Sequence, residues 1–264
     1  MNLHKLILTN NACYKAGRTI TPKGIMVHST GANNPSLKRY VGPDDGLLGK
    51  NQYNNHWNQN TPDGRQVCVH GFIGKLSDGS IATYQTLPWN MRGWHCGSGA
   101  KGSGNDTHIS FEICEDGLTD AAYFNAVYKE AAELCAYLCI QYGLTEKNVI
   151  CHSEGYKLGI ASNHGDVMHW FPRFGKSMDT FRAEVGTLLA ASAPTPTPAP
   201  SGFAVGDRVV LNGAVYADSY GGGKGRSFQN RTCTVTRIVD LKRKCPYLLD
   251  NGLGWVPKDS IRKV

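Results

Sequence analysis

The 264-residue sequence contains no run of about eighteen apolar residues, the length that a membrane-spanning helix requires. Near the amino terminus the apolar stretch is short, and Thr9 and two asparagines interrupt it. This pattern lacks the apolar segment of a signal peptide. We therefore expect synthesis in the cytoplasm and no insertion into a membrane.

The nine cysteines include no CxxC pair, and their number is odd. A disulfide framework or a zinc finger uses paired cysteines at short spacing, so the pattern favours free, mostly buried thiols in a reducing compartment. The sequence also lacks GxxxxGKS/T, the phosphate-binding loop of many nucleotide-binding proteins. Disulfide scaffolds, zinc fingers and this nucleotide site are therefore not expected.

Positive charge is concentrated near the carboxyl terminus. Residues 202–264 contain 11 Lys and Arg against 5 Asp and Glu, whereas residues 1–201 contain 17 against 16, so +6 of the net charge of +7 belongs to the last part. That part is expected to bind an anionic partner.

A segment rich in proline, "AASAPTPTPAPSG", divides the chain. Its alternation of proline with small residues is typical of an extended spacer. The sequence thus predicts a first domain over residues 1–189, a linker over 190–202 and a second domain over 203–264.

The first part interleaves strand and helix patterns. "KGIMVHST", "HISFEIC" and "NVICHS" are short apolar strands, and two further strands surround the Asp78-Gly79 turn. Apolar residues recur at helical spacing from Phe124 to Tyr142, after a start at Thr119 or Asp120 and before Gly143. A second helix is expected after Ser177. We predict an α/β domain with a mixed central sheet flanked by helices.

The last part shows short strands and glycine-rich turns without helical periodicity. This is typical of a small all-β barrel.

Residues 162–174, "SNHGDVMHWFPRF", bring three side chains that can bind a metal close together: His164, Asp166 and His169. In an extended segment His164 and Asp166 face the same way, so one could bind a metal while the other reaches the substrate; spacing alone does not say which. His28 and His152 each end a predicted apolar strand. A lone histidine at a strand end is more often structural, but two of them together with this cluster favour a zinc site.

Six motifs occur here in the order in which the zinc-dependent N-acetylmuramoyl-L-alanine amidases carry them: "GIMVHST", a hairpin ending in "DGSIATYQ", "RGWHCG", "HISFEIC", "VICHSE" and "HGDVMHWF". The chain resembles this family, which includes amidase-type phage lysozymes and peptidoglycan recognition proteins, over roughly residues 20–185. The resemblance implies the amidase fold, one zinc ion and cleavage of the bond between N-acetylmuramic acid and L-alanine in peptidoglycan.

Carried over position by position, the resemblance makes His28, His152 and Asp166 the metal ligands and points His164 at the reacting carbonyl. His169 is then a packing or supporting residue. Relatives commonly carry Lys at the position of His164, and an imidazole can still donate a hydrogen bond to an oxyanion.

Some relatives carry Tyr where this chain has Val69, so the role of catalytic base is expected to fall on Glu112 in "SFEIC". A carboxylate within an apolar strand is costly to bury without a partner, which favours function. The alternative is a salt-bridged strand residue.

The Trp94-His95 pair resembles the pair that lines the substrate groove in this family, although such a dipeptide is as often found in a core. His70 is expected to support the site without binding metal.

Residues 203–264 resemble bacterial Src-homology-3-like barrels that bind cell walls, chiefly in "VGDRVVL" and "GWVPKDSIRKV". Tyr216, Tyr220 and Trp255 would then bind anionic wall polymers or peptidoglycan peptides. A solvated basic surface with Trp255 in the core is the alternative.

The resemblance implies a phage or prophage endolysin that reaches the wall through a separate pore. Two other functions compete with it: a recognition protein of the same fold that binds peptidoglycan without cutting it, and a nucleic-acid binder. Non-catalytic relatives lose a metal ligand, whereas all three are present here. No basic helix, zinc finger or RNA-binding motif accompanies the positive charge, so no nucleic-acid partner is expected.

Overall fold

The computed structural model describes residues 1–192 and 202–264. These residues form two compact units, one on each side of residues 193–201. Most of the predicted linker therefore lies outside the described residues. Its first three residues, 190–192, belong to the last turn of a helix.

The first unit is built on a six-stranded mixed sheet in the order β1-β4-β3-β5-β2-β6. The strands are β1 (Leu3–Lys5), β2 (Gly24–Asn33), β3 (Gly71–Lys75), β4 (Ile81–Gln85), β5 (His108–Glu115) and β6 (Val149–Cys151). All neighbouring strands pair in parallel except β3 and β4, which form the predicted antiparallel hairpin. The predicted mixed α/β architecture is confirmed.

Four helices accompany this sheet: α1 (Ala12–Ala16), α2 (Ala121–Tyr142), α3 (His152–Leu158) and α4 (Met178–Ser192). Helix α2 begins and ends where the sequence predicts. The Asp120 carboxylate accepts hydrogen bonds from the backbone amides of Ala122 and Tyr123, and Gly143 ends the helix in the left-handed conformation with φ of 64°. Its buried face, which includes Phe124 and Leu134, packs in the main core with the sheet and with Phe181 of α4.

The opposite side of the sheet is covered largely without regular helices. Phe72 of β3 stacks on Tyr40, with 5.1 Å between ring centroids, and meets Trp57 edge-on at 5.0 Å. Leu37 and Tyr84 join the same buried cluster. The segment between β2 and β3 is thus fastened to the sheet by aromatic packing, and it forms one wall of the cleft described below.

Two strand-end predictions were wrong in detail. β2 does not end at His28 but continues to Asn33, because its parallel pairing with β5 extends past Ser29 before the register shifts. His152 is the first residue of α3 and follows β6, which ends at Cys151. The chain turns there as the Glu154 carboxylate accepts a hydrogen bond from the Cys151 amide.

The second unit is all β, with strands β7 (Arg208–Tyr216), β8 (Lys224–Ile238), β9 (Tyr247–Leu249), β10 (Gly254–Val256) and β11 (Ile261–Lys263). They pair in the order β10-β9-β8-β7-β11, and β10 also pairs with β7 through Trp255 and Tyr216. Strands β7 to β10 therefore close on one another around a small apolar core. Trp255 is half-buried and lies outside that core.

Among the described residues, no helix combines the length and apolar character needed to cross a bilayer.

Candidate metal centre and active site

Three side chains from distant parts of the first unit converge in a buried cluster: His28 of β2, His152 at the start of α3, and Asp166 in the loop that follows α3. Nδ1 of His28 lies 3.2 Å from Nδ1 of His152 and 3.0 Å from Oδ2 of Asp166. Nδ1 of His152 lies 3.7 Å from Oδ1 of Asp166. The structure therefore brings together the three residues that the sequence analysis named as ligands.

The spacing of these donor atoms suits a small tetrahedral metal ion. Ligand atoms about 2.0–2.2 Å from a tetrahedral zinc lie about 3.3–3.5 Å from one another. The observed separations of 3.0 to 3.7 Å bracket that value. Two imidazole nitrogens and one carboxylate oxygen also match the donor set of catalytic zinc sites, which leave a fourth position for water or substrate. The residues fit zinc.

The other ring nitrogens of both histidines have partners outside the cluster. Nε2 of His28 lies 3.0 Å from Nδ1 of His95, and Nε2 of His152 lies 3.3 Å from the Ser162 hydroxyl. A hydrogen bond donated from Nε2 fixes the tautomer in which Nδ1 carries the free lone pair. Both rings are thus oriented with Nδ1 available to a metal.

Without metal, the cluster is stabilised by its own charges. Burial opposes the charged form of His28, but the hydrogen bond and charge of Asp166 outweigh it and raise the pKa of His28. Burial likewise opposes the carboxylate of Asp166, yet His28, His152 and His164 hold its pKa below the usual range. Burial and repulsion from His28 lower the pKa of His152 to about 4. In the metal-free site a protonated His28 can form an ion pair with the Asp166 carboxylate. A bound divalent ion would take the place of that proton as the positive charge next to Asp166.

Glu112 stands next to this cluster. It lies on β5, in register with His28 on β2 and with Phe72 on β3. Its Oε2 atom is buried and has no hydrogen-bond partner among the described residues. Burial raises the pKa of Glu112 to about 8, an effect that the charge of His28 opposes and those of Asp166 and Glu115 reinforce. The predicted alternative, a salt-bridged strand residue, finds no support, since no ion pair among the described residues involves this carboxylate.

His164 and His169 lie in different surroundings. Nδ1 of His164 contacts Oδ1 of Asp166, its ring stacks on that of His152 with 5.1 Å between centroids, and its side chain is 64% exposed. His169 turns away and pairs through Nε2 with the buried Glu115 carboxylate at 2.8 Å. Only His164 of the two lines the cleft.

Trp94 and His95 both line the cleft, Trp94 with 41% of its surface exposed. His95 also has a second role that the sequence analysis missed, since its Nδ1 lies within hydrogen-bond distance of His28.

The sequence analysis also missed Asn105. Its Oδ1 accepts hydrogen bonds from the amides of His95 (2.8 Å) and Cys96 (3.1 Å), and its Nδ2 donates to the Gly97 carbonyl, so it holds this segment in place. The sequence itself shows only an asparagine in a glycine-rich loop, which does not indicate this anchoring role.

His70 is buried, and its role in supporting the site stays a prediction. It does not line the cleft, and it joins neighbouring segments through the Met91 carbonyl, 2.7 Å from Nε2, and the Ser110 amide, 3.0 Å from Nδ1.

These residues open into a cavity of about 460 Å³. Beyond the cluster and Glu112, its walls include Arg39, Tyr40, Trp57, Asp63, Arg65, Trp94 and Gly97. The cavity offers room for an extended polar ligand over the metal cluster.

The mixed sheet places two histidines, an aspartate and an unpaired glutamate in one cleft, a set of side chains that hydrolases with a bound metal ion also use. Residues 18–167 match the N-acetylmuramoyl-L-alanine amidase family, and the chain belongs to that family.

One relative is the N-acetylmuramoyl-L-alanine amidase XlyA of Bacillus subtilis (strain 168), 28% identical over 198 residues, which cover 59% of this chain. The match spans 65% of XlyA, less than two thirds of its length. The solved catalytic domain of XlyA is similar with a TM-score of 0.49 and 25% identity, covering 70% of this chain and all of that domain. The Staphylococcus aureus hydrolase AmiA, solved with its ligand, has a TM-score of 0.49 and 21% identity, covering 71% of this chain and 82% of AmiA.

Proposed function

We propose that this protein is a zinc-dependent N-acetylmuramoyl-L-alanine amidase that hydrolyses the bond between N-acetylmuramic acid and L-alanine in bacterial peptidoglycan. One observation carries the proposal: three ligand atoms spaced for zinc lie in the same cavity as an unpaired, buried carboxylate oxygen of Glu112. Membership of the amidase family supports the choice of bond.

In this proposal His28, His152 and Asp166 hold the ion. Zinc, when bound, supplies Lewis acidity that polarises a carbonyl group and acidifies water. Glu112 accepts a proton from the attacking water as its oxygen adds to the amide carbon. Burial raises the pKa of this carboxyl group, which helps it to hold the proton before returning it to the departing amine of L-alanine.

His164 is placed to stabilise the oxyanion that forms when the carbonyl is attacked. Its Nδ1 is engaged by Asp166, which leaves Nε2 for the substrate. An N–H group at Nε2 would donate a hydrogen bond to the oxyanion. Trp94 would contact the substrate beside it.

The second unit is proposed to bind the wall. Residues 202–264 carry a net charge of +6. Tyr220 is 69% exposed and lies under the Arg243 guanidinium, 4.4 Å from its ring centroid. An aromatic ring beside cations suits a polymer of sugars and phosphates or carboxylates. An amidase joined to a wall-binding unit of the Src-homology-3-like type is the plan of an endolysin, and we propose that the protein acts on the cell wall.

The experiment compares wild-type protein with Asp166→Ala on purified peptidoglycan. Zinc content is measured, and the soluble products are assayed for new L-alanine amino termini and for new reducing sugars. Asp179→Ala is the matched control, since Asp179 is exposed and lies outside the cavity.

An amidase releases L-alanine amino termini without reducing sugars, and both zinc and activity are lost in Asp166→Ala but kept in Asp179→Ala. Zinc binding without product release would instead identify a recognition protein that binds peptidoglycan. Full zinc content and activity in Asp166→Ala would show that the ligand set is wrong.

A further inference from the structure

Two cysteine side chains from distant parts of the first unit lie against each other: Cys13 of α1 and Cys68, which precedes β3. Sγ of Cys13 lies 3.7 Å from the carbonyl oxygen of Gln66, two positions before Cys68. The Cys68 thiol donates a hydrogen bond to the sulfur of Cys13. Both are free thiols in the structure, so the fold places two unbonded sulfur atoms in contact.

One buried asparagine, Asn11, joins the two segments that carry these thiols. Its Oδ1 accepts a hydrogen bond from the Cys13 amide at 2.9 Å. Its Nδ2 donates to the carbonyl of Val67 at 2.9 Å and to that of Trp57 at 3.1 Å. Two cysteines can be joined only where their Cα atoms lie within about 7 Å of each other, so this attachment favours a bond between Cys13 and Cys68.

The Cys68 side of the contact is firmly held. The Cys68 amide donates to the carbonyl of Trp94 at 3.1 Å, and the Trp94 amide donates to the Cys68 carbonyl at 3.0 Å. That carbonyl oxygen also packs so closely on Gly93 that a Cβ there would lie 2.8 Å from it. Helix α1, in contrast, contains no buried residue. We therefore expect α1 to make the small movement that brings the sulfur atoms to the disulfide bond length of about 2.0 Å.

The surroundings make Cys13 the more reactive of the two. Cys13 is partly exposed and lines a cavity of about 510 Å³ together with Arg18 and Arg92, whereas Cys68 is fully buried. The hydrogen bond from Cys68 lowers the pKa of Cys13; burial opposes this effect, and the charge of Arg92 and the amide of Trp94 reinforce it. The thiolate is the nucleophilic form of cysteine. Cys13 is thus placed to react first and Cys68 to react with it.

We infer that Cys13 and Cys68 form a reversible disulfide when the protein meets a peroxide, and that this bond stabilises the first unit. In a reducing compartment both thiols stay free, as the sequence analysis expects. The bond closes only under oxidising conditions.

The reaction has two steps. The Cys13 thiolate attacks one oxygen of hydrogen peroxide, which forms an S–O bond, breaks the O–O bond and leaves a sulfenic acid and hydroxide, which becomes water. The Cys68 sulfur then attacks the Cys13 sulfur, and the departing hydroxyl group takes the Cys68 proton and leaves as a second water. Two thiols are oxidised and one peroxide is reduced. The Cys68 thiol, whose pKa the thiolate of Cys13 raises, loses that restraint once Cys13 is a neutral sulfenic acid.

The disulfide would close a loop of residues 13–68, which contains β2 with the proposed ligand His28. It also contains Tyr40 and Trp57, whose rings pack on Phe72 of the sheet. Closing a long loop restricts the unfolded chain more than the folded protein and so stabilises the fold. None of the three proposed zinc ligands is a cysteine, so oxidation leaves the metal cluster unchanged.

The test uses full-length, zinc-loaded protein that is reduced with a phosphine, freed of the reductant and exposed to hydrogen peroxide. The protein is then unfolded with N-ethylmaleimide, which blocks every remaining thiol. Mass spectrometry counts the blocked thiols and identifies linked tryptic peptides. The peptides in question are residues 6–15 and 66–75, each with one cysteine. Differential scanning calorimetry gives the melting temperature of the first unit before and after oxidation.

Cys13→Ser and Cys68→Ser are compared with wild type. Cys13→Ser carries the test, because Cys13 is only partly buried and serine should be tolerated there. Cys233→Ser is the matched control, since it removes a buried thiol from the second unit.

In oxidised wild type we expect all but two of the nine cysteines to be blocked and the two peptides to be linked. The melting temperature should rise by about 5–15 °C, and the phosphine should reverse both changes. Cys233→Ser should keep the link and the rise, and Cys13→Ser should lose both.

Nine blocked thiols in the oxidised protein would overturn the inference. So would oxygen added to Cys13 without the link, a link between other cysteines, or the same rise in melting temperature in Cys13→Ser. None of these measurements depends on peptidoglycan cleavage, so the proposed function is tested separately.

Discussion

Glu112 lies directly beside His28, in register on the neighbouring parallel strand, at the centre of the sheet. Side chains at paired positions of neighbouring strands point to the same face. The pairing therefore delivers a carboxylate and the imidazole of a proposed metal ligand to one cleft. Two strands whose paired residues are 84 positions apart in the chain thus set the distance between the metal cluster and the proposed base.

Replacement of this carboxylate tests its role. Glu112→Gln keeps the size of the side chain but removes the proton acceptor, so we expect amide cleavage to fall about 10²- to 10⁴-fold with zinc content unchanged. Turnover of purified peptidoglycan and bound zinc are measured together. Glu115→Gln on the same strand is the control, since Glu115 pairs with His169 and does not line the cleft. Near-normal turnover in Glu112→Gln with zinc bound would assign the base elsewhere.

The hydrogen bond between His28 and His95 should affect metal affinity. His95→Ala removes the acceptor that fixes the His28 tautomer, and we expect zinc to bind about ten- to a hundredfold more weakly. His95→Asn, which can accept the same bond, should restore part of the affinity. Zinc dissociation constants are obtained by competition with a chelator.

Trp94→Ala is the neighbouring control for that experiment. Trp94 lines the cleft but touches no proposed ligand through a hydrogen bond, so its loss should raise KM without changing zinc affinity. A zinc affinity that is the same in His95→Ala and wild type would restrict His95 to the substrate groove.

His164 is expected to act through the hydrogen bond that it donates. His164→Ala should lower kcat about ten- to a hundredfold, because one hydrogen-bond donor to the oxyanion is lost, while zinc stays bound. His164→Lys supplies a cationic donor at this position and should recover most of the activity. Equal activity of the Ala and Lys variants would show that a charged donor is not needed at this position.

The buried His70 should make stability depend on pH. Burial lowers the pKa of His70 from 6.5 to about 4 in the folded protein. Between these values the unfolded chain binds the proton that the folded protein does not, so the free energy of unfolding decreases as pH falls from about 6.5 towards 4. The contribution lost between pH 7 and pH 5 is about 2 kcal/mol.

Urea unfolding of chelator-treated protein at the two pH values measures this loss. His70→Gln has no titrating ring, and its free energy of unfolding should fall by about 2 kcal/mol less than that of wild type over the same interval. An identical fall in both proteins would mean that other groups cause the acid sensitivity.

Local signals predicted much of the fold. Helix α2 follows from its apolar periodicity between Asp120 and Gly143, and the β3–β4 hairpin follows from the Asp78-Gly79 turn, because these features act within a few residues of one another. The limits of β2 were misjudged, since that strand ends where its pairing with β5 ends. The pairing partner, β5, lies far away in the chain, so the residues around Ser29 do not indicate that the strand continues beyond it.

The sequence by itself determined which residues are candidates for the chemistry. His28, His152 and Glu112 stand out because they are polar residues within or at the ends of apolar strand patterns, whereas the choice of Asp166 over His164 came from the family resemblance. Tertiary structure alone decided how they are supported and what surrounds them. The pairing of His95 with His28 joins residues 67 positions apart in the chain, and Asn105 anchors the His95 segment from the loop that follows it. Such contacts depend on the distances that packing sets between separate elements, and no periodicity or spacing along the chain encodes them.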